Sequence, residues 1–238
     1  MGGCRVLACT LVCACGRVGF EAHDGAPGDA STDATAAAGW VGAVVAHWTT
    51  SVSTDSFDFA AAAPGDAVVM MVSCDGPATA PSLTVTAPGW SLVALGSLVG
   101  SAAAGRWAQS YAAIAPDTLA VSISVTWDVT CVSLVVLGDE FANNDPTLAA
   151  FDDHSETEGT GLCSATVTTH RAGDTLWAAC DPANGVAATP GFAIGADDQQ
   201  GDFTEHAVTT DSAGTAETIA YENPTAMNVM VAVAIAHR

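Results

Sequence analysis

Lysine is absent from this chain of 238 residues, and its five basic side chains are all arginine: Arg5, Arg17, Arg106, Arg171 and Arg238. Against 26 acids they leave a formal net charge of −21. A surface so short of cations repels phosphate backbones, which excludes nucleic acid as a partner and any electrostatic pull towards an anionic membrane. Aromatic residues (6%) and charged residues (13%) are scarce while half of the chain is apolar. That balance excludes a disordered chain and a helical bundle with charged faces. No stretch reads as a capped amphipathic helix of about 12 residues or more. Chemical motifs are missing too. There is no G-x-S-x-G, H-E-x-x-H, C-x-x-C, P-loop or G-x-G-x-x-G, and His47, His154, His170, His206 and His237 stand without a neighbouring motif. The missing motifs favour a non-catalytic role without closing the enzyme question, and no cofactor is expected, with Ca²⁺ the one ion to weigh.

What the chain does have is a stretch stated twice. PGDAVVMMVSCDG (64–76) followed by APGWSLV (87–93) returns as AGDTLWAACDP (172–182) followed by TPGFAI (189–194). Gly65-Asp66 match Gly173-Asp174 at a spacing of 108, Cys74-Asp75 match Cys180-Asp181 at 106, and Pro88-Gly89-Trp90 match Pro190-Gly191-Phe192 at 102. The spacing shrinks because the second copy has shorter connections.

The first 20 residues, MGGCRVLACTLVCACGRVGF, carry one Arg and then nine mostly apolar residues (6–14) before a Cys. Nine residues fall short of the about 20 that span a bilayer, so the segment is a targeting signal and not a transmembrane helix. Val12-Cys13-Ala14-Cys15 resembles a bacterial lipobox, with Cys13 where Ala or Ser is usual. The resemblance implies a signal peptide over 1–14, lipid on Cys15, and a membrane reached through that lipid. Gly16 in place of Asp after the Cys points to the outer membrane. An ordinary secretory signal is the alternative. Residues 15–38 continue as a small, polar, Ala/Asp/Gly-rich tether.

From residue 39 the pattern is β. In LAVSISVTW (119–127), Leu119, Val121, Ile123, Val125 and Trp127 share one face, the period of a half-buried strand. AVVMMV (67–72), VSLVVL (132–137) and VMVAVAIA (229–236) are apolar throughout and suit central strands. Turns rich in Gly, Pro and Asp divide each half into seven short strands. The first set lies near 55–60, 66–74, 82–86, 90–96, 105–114, 118–127 and 131–138. The second lies near 163–169, 174–180, 187–189, 192–196, 203–210, 215–222 and 228–236. The pseudo-repeats, about 55–138 and 163–236, are each too small for a thick core. They are expected to pack as one antiparallel β-sandwich over 39–238, with two small tandem sandwiches as the alternative.

Four cysteines lie beyond the leader, and an exported location favours pairing. Cys163 and Cys180 are placed to meet across a hairpin centred on Arg171-Ala172. Cys74 ends one strand and Cys131 begins another, which pairs them if those strands are antiparallel neighbours. Four buried thiols are the alternative.

The order of an apolar strand after Gly-Asp, then Pro-Gly-Trp, an alternating strand and a central apolar strand, stated twice, resembles a β-sandwich module recurrent in bacterial surface and secreted proteins. That resemblance implies a jelly-roll-like sandwich outside the cell with a binding, adhesive or structural role, and it brings no catalytic residues.

Two places invite a ligand. The crossover at 139–162 reads as a long acidic loop, in which Asp152, Asp153, Glu156 and Glu158 offer the oxygens a Ca²⁺ ion takes, although without the spacing of a calcium loop. Trp107 and Tyr111 share a face of GRWAQSYAAIA (105–115), and an exposed pair there would stack on a sugar ring. The expected partner is thus an envelope protein or a glycan. A glycan-binding module and an envelope hydrolase are the alternatives to non-catalytic binding.

Overall fold

The strand bearing the first Cys-Asp, Ala67–Asp75, is buried along eight of its nine residues. A strand apolar on both faces needs a cover on both, and the rest of the chain supplies one. The computed structural model describes residues 39–238, save 184 and 224; the expected leader, the tether and Cys15 lie outside the described residues.

In chain order the strands are β1 (Gly39–Phe59), β2 (Ala67–Asp75), β3 (Leu83–Thr86), β4 (Val93–Ala94), β5 (Val99–Ser101), β6 (Arg106–Ile114) and β7 (Val121–Ala142). After a short 3₁₀ turn at Leu148–Ala150 come β8 (Phe151–Gly161), β9 (Ser164–Thr168), β10 (Thr175–Pro182), β11 (Ala193–Asp197), β12 (Phe203–Val208), β13 (Ala216–Ala220) and β14 (Thr225–Ile235). The protein is all-β, and every strand pairing among the described residues is antiparallel.

One sheet runs β1-β7-β2-β6-β4, with β3 also on β7 and β5 also on β6. The other, read from its far edge, runs β8-β14-β10-β12-β11, and β9 pairs β13 by itself. In each sheet the strand that enters first forms one edge, the last strand lies beside it, and the Cys-Asp strand comes next. The turns before and after the Cys-Asp strands also match. Gly65 and Gly173 take φ of 90° and 86°, and Gly89 and Gly191 take 86° and 89°, left-handed values that glycine adopts without a Cβ clash.

The two sheets stack face to face. Val69 and Met71 of β2, Ala108 and Ala112 of β6, Leu137 and Phe141 of β7, Trp177 and Ala179 of β10, and Val229, Val231, Val233 and Ile235 of β14 fill the layer between them. The outer faces are covered as well. β1 and β7 form one long antiparallel ladder whose register slips between Val52 and Thr54, opposite Cys131 and Thr126. Beyond that slip the ladder turns back with β3 over its own sheet. Ile123, Val125 and Trp127 thereby pack in one cluster with Val68, Met70, Val72, Leu134 and Val136. On the second sheet β9 and β13 do the same, bringing Val167, Ile219 and Tyr221 onto Leu176, Ala178 and Met230. The alternation in 121–127 marks a covering strand with one wet face. The unbroken apolar runs mark sheets covered on both sides.

Disulfides fasten both covers. Cys74 bonds Cys131 with Cα atoms 5.3 Å apart, and Cys163 bonds Cys180 at 6.4 Å. The first joins β2 to the bend of its neighbour β7. The second corrects the expected hairpin: β9 pairs only β13, and the bond ties the β8–β9 bend to β10 beneath it. Replacing Cys74 and Cys131 together with Ala is expected to cost about 4 kcal/mol of stability, and Cys163 with Cys180 about 3 kcal/mol, from loops of 57 and 17 residues. Urea unfolding of the two double variants measures both losses; equal or negligible losses would contradict the loop-length account.

Other expectations need correction. A strand expected at 55–60 begins at Gly39. The 139–162 crossover is mostly strand, because β7 continues to Ala142 and β8 takes 151–161 against β14. At 187–189 there is only an isolated bridge from Ala187 to Glu222. Leu119 precedes β7 and is exposed.

Candidate functional site

Neither expected ligand site survives in the form foreseen. Trp107 and Tyr111 are buried, 8% and 7% exposed, among the first sheet's core residues. The Trp107 indole donates to the Pro77 carbonyl at 3.1 Å and the Tyr111 hydroxyl to Gln109 Oε1 at 3.2 Å. Rings so placed fill a core and offer no face to a sugar. Asp152, Asp153, Glu156 and Glu158 lie on β8, and a strand spreads alternate side chains to opposite faces. Asp153 accepts from the Thr168 N–H, Asp152 from the His170 N–H, and Glu156 from the Ser110 hydroxyl. Among the described residues no group of three or more His, Cys, Asp or Glu is disposed to hold a metal ion.

The structure gathers polar groups at both ends of the layer between the sheets. At one end, Asp139 of β7 is fully buried. It accepts from the indoles of Trp40 on β1 (2.9 Å) and Trp177 on β10 (2.8 Å), and from the Thr204 hydroxyl on β12. Gly195 of β11 closes over it, where a Cβ would come within 2.5 Å of the carboxylate. Trp40 stacks on His206 with ring centroids 5.2 Å apart, and Phe141 meets the same imidazole edge-on at 5.8 Å. Burial holds His206 below the ordinary histidine range, against the pull of Asp139. The imidazole makes no hydrogen bond through Nδ1, and the Thr204 hydroxyl goes to Asp139 directly. The constellation therefore ties β1 and β7 to β10 and β12 without the hydroxyl–imidazole contact by which a histidine activates a Ser or Thr nucleophile.

At the other end the duplicated aspartates meet. Asp75 ends β2 and Asp181 lies near the end of β10, each facing the opposite sheet beside a cysteine that faces outward. Arg106, at the start of β6, donates from Nε and Nη2 to the two oxygens of Asp75 at 2.7 and 2.8 Å. Its Nη1 reaches the Asp181 carbonyl at 3.1 Å and Oδ1 at 3.2 Å. Asp198 and Asp202 complete the group from the turn between β11 and β12. Burial pushes Asp202 up to about 9, with Asp181 and Asp198 adding to the rise. Burial and Asp75 push Asp181 to about 7 against the pull of Arg106. Burial would lower Arg106, but Asp181 and Asp75 outweigh it and hold the guanidinium above its usual value.

A third feature is β1 itself. It forms the edge of its sheet, paired only with β7 among the described residues. From 39 to 54 it carries no Asp, Glu, Lys or Arg, and Trp40, Val41 and Trp48 stand 43%, 39% and 43% exposed. Comparison with protein-family models, curated proteins and solved structures finds no match.

Sequence reasoning passed over β1, because bulges at 40–42 and 43–45 break the period that marks a strand. The usable signal was two tryptophans eight residues apart in an uncharged stretch of a strongly acidic chain. The aspartate cluster also left a trace. Asp75 and Asp181 belong to the duplicated Cys-Asp, a repetition that packing alone does not demand of a charged residue.

Proposed function

We propose that this chain is exported, held at the bacterial outer membrane by lipid on Cys15, and works by non-catalytic contact, binding or structural, through the edge strand β1. In this reading the body is one jelly-roll-like plan used twice, each half supplying one sheet and its cover. The observation that carries the contact role is β1: a sheet edge paired only with β7 among the described residues, free of formal charge along 39–54, exposing two tryptophans and a valine on a protein of net charge −21. Exposed edges usually carry lysine, proline, inward charges or bulges that prevent pairing; along 39–54 this one has bulges but no lysine, proline or charge. The two disulfides accord with an oxidising compartment. Lipid on Cys15 supplies the anchor, since each buried methylene contributes about 0.8 kcal/mol and two acyl chains hold a protein firmly. The glycan reading loses its support with Trp107 and Tyr111 in the core.

Fractionation of the producing cell tests the anchor. The full chain is expected in the membrane fraction and its Cys15→Ala variant in the soluble fraction. A variant that stays with the membrane would remove lipidation of Cys15 from the account.

A further inference from the structure

The aspartate cluster holds four carboxyl groups, Asp75, Asp181, Asp198 and Asp202, against one guanidinium, Arg106. The guanidinium is largely committed to Asp75, which it grips in bidentate fashion. Asp181 is 2% exposed and its Oδ2 has no hydrogen-bond partner; Asp198 Oδ2 is likewise buried and unpartnered. The Ser73 hydroxyl beside Asp181 is fully buried and makes no hydrogen bond of ordinary geometry. An ionised carboxylate left this way in a protein interior costs several kcal/mol, whereas a protonated one costs far less and turns one oxygen into a donor. Three acceptor-only carboxylates around Asp181 therefore cannot all stay closed and ionised.

The part able to yield is the 197–202 turn. It rests on Asp198, whose backbone N–H donates to the Asp202 carbonyl at 3.2 Å and whose Oδ1 accepts from the Gln200 and Asp202 N–H groups at 2.8 and 3.2 Å. Both ends of the turn lead into strands, β11 and β12, and its outer residues Asp197, Gln199 and Gln200 are exposed. Asp75 and Asp181, by contrast, lie on interior strands fastened by Cys74–Cys131 and Cys163–Cys180.

We propose that Asp75, Arg106, Asp181, Asp198 and Asp202 form a proton-dependent latch, closed when the cluster holds protons and released at the 197–202 turn when it loses them. The charged groups facing Asp202 are Asp181 from β10, Asp198 from its own turn, Arg106 from β6 and Asp75 from β2; the same set faces Asp181. Among the described residues Arg106 is the one cation facing Asp202 and Asp181. In the open turn Asp202 returns to solvent and to an ordinary carboxylate pKa. Closing then takes up one proton at Asp202 over the range up to its folded value of about 9, and the closed state loses about tenfold in population for each pH unit. Asp181, with its folded value of about 7, steepens the loss below neutrality.

Hydrogen exchange of the full chain tests this, with protection factors corrected for the intrinsic pH dependence of amide exchange. Between pH 7 and 9 the amides of Asp202 and Phe203 are expected to lose about tenfold in protection per pH unit, while those of β2 and β10 hold theirs. In Asp202→Asn, which keeps the shape and removes the proton, that slope should vanish. Asp198→Asn, which removes a facing charge that helps raise Asp202, should make the slope end at a lower pH. An unchanged slope in Asp202→Asn, or loss of protection at β2 and β10 together with the turn, would overturn the latch. So would millimolar Ca²⁺ restoring protection at pH 9, because the cluster would then answer to a metal ion rather than to protons.

Discussion

The melting temperature is expected to rise as the pH is lowered from 9 to 5, the reverse of a protein held together by salt-bridged carboxylates. Three buried carboxyls set the direction. Burial and its acidic neighbours raise Asp202 to about 9, burial and Asp75 raise Asp181 to about 7, and burial raises Glu140, beside Asp66, to about 7. In the unfolded chain these groups ionise near pH 4. Between that value and their folded values the native state therefore binds more protons than the unfolded state, so stability falls as pH rises. The contribution is fully present below about pH 4 and gone above the folded values. Each group changes stability by about 1.4 kcal/mol per pH unit within its window. All three act from pH 5 to 7, and Asp202 alone acts from 7 to 9. Self-repulsion of the −21 charge adds in the same sense. His206 opposes them: burial holds it neutral when folded while the unfolded chain protonates it, so the rise should flatten below about pH 6. Thermal melts at constant ionic strength measure the whole curve. A melting temperature that is flat, or that climbs towards pH 9, would contradict the protonation states assigned to these carboxyls.

Trp177→Ala is expected to be the most damaging single substitution in the layer between the sheets. The side chain is fully buried and packs with Met71, Leu137 and Val231 in that core. Its loss leaves a cavity worth about 3–5 kcal/mol. It also takes from Asp139 the donor at 2.8 Å, and a buried carboxylate short of a donor costs about 1–3 kcal/mol more. Together these approach the whole stability of an ordinary domain, about 5–15 kcal/mol. Trp177→Phe keeps much of the ring and loses the donor, so it should cost markedly less. Pairing each substitution with Asp139→Asn in urea unfolding separates the two terms. An Ala variant no weaker than the Phe variant would contradict the packing assigned to this ring.

Much of the fold was legible because it rests on local chemistry. Gly65 and Gly173 set the same turn, the 121–127 alternation gave one wet face, and β2, β10 and β14 read as apolar runs. The two disulfides were legible as pairs. The reason for Cys163–Cys180 was not, because a sequence shows a hairpin more readily than a strand lying across another sheet. β1 stayed hidden behind its bulges, and β8 behind its acids. Seven carboxylates between 139 and 158 read as a solvated loop, yet Asp139 is buried by three donors from β1, β10 and β12 that no spacing connects. Trp107 and Tyr111 went the other way: period two told that they share a face, and the cover formed by the bent β1–β7 ladder made that face a core. The aspartate cluster was half visible in the repeated Cys-Asp. Arg106 joined it as the cross-strand partner of Asp75, and Asp202 only through the facing of two sheets.

Photo-crosslinking in the producing cell tests the central claim, contact through β1, most directly. A photoreactive residue placed in the full chain at position 41 or 48 is expected to give an adduct of defined mass. The same residue at 119, where Leu119 is 72% exposed beyond the Phe59–Val121 end of the β1–β7 ladder, opposite the end that holds position 41, should give none. The adduct from position 41 should vanish when Trp48 is replaced by Lys, with a melt of the variant run beside it, because the ring is 43% exposed but its indole also donates to Ser133 Oγ at 2.7 Å. Adducts that form equally from 119, or none from 41 and 48, would contradict a binding role for this edge.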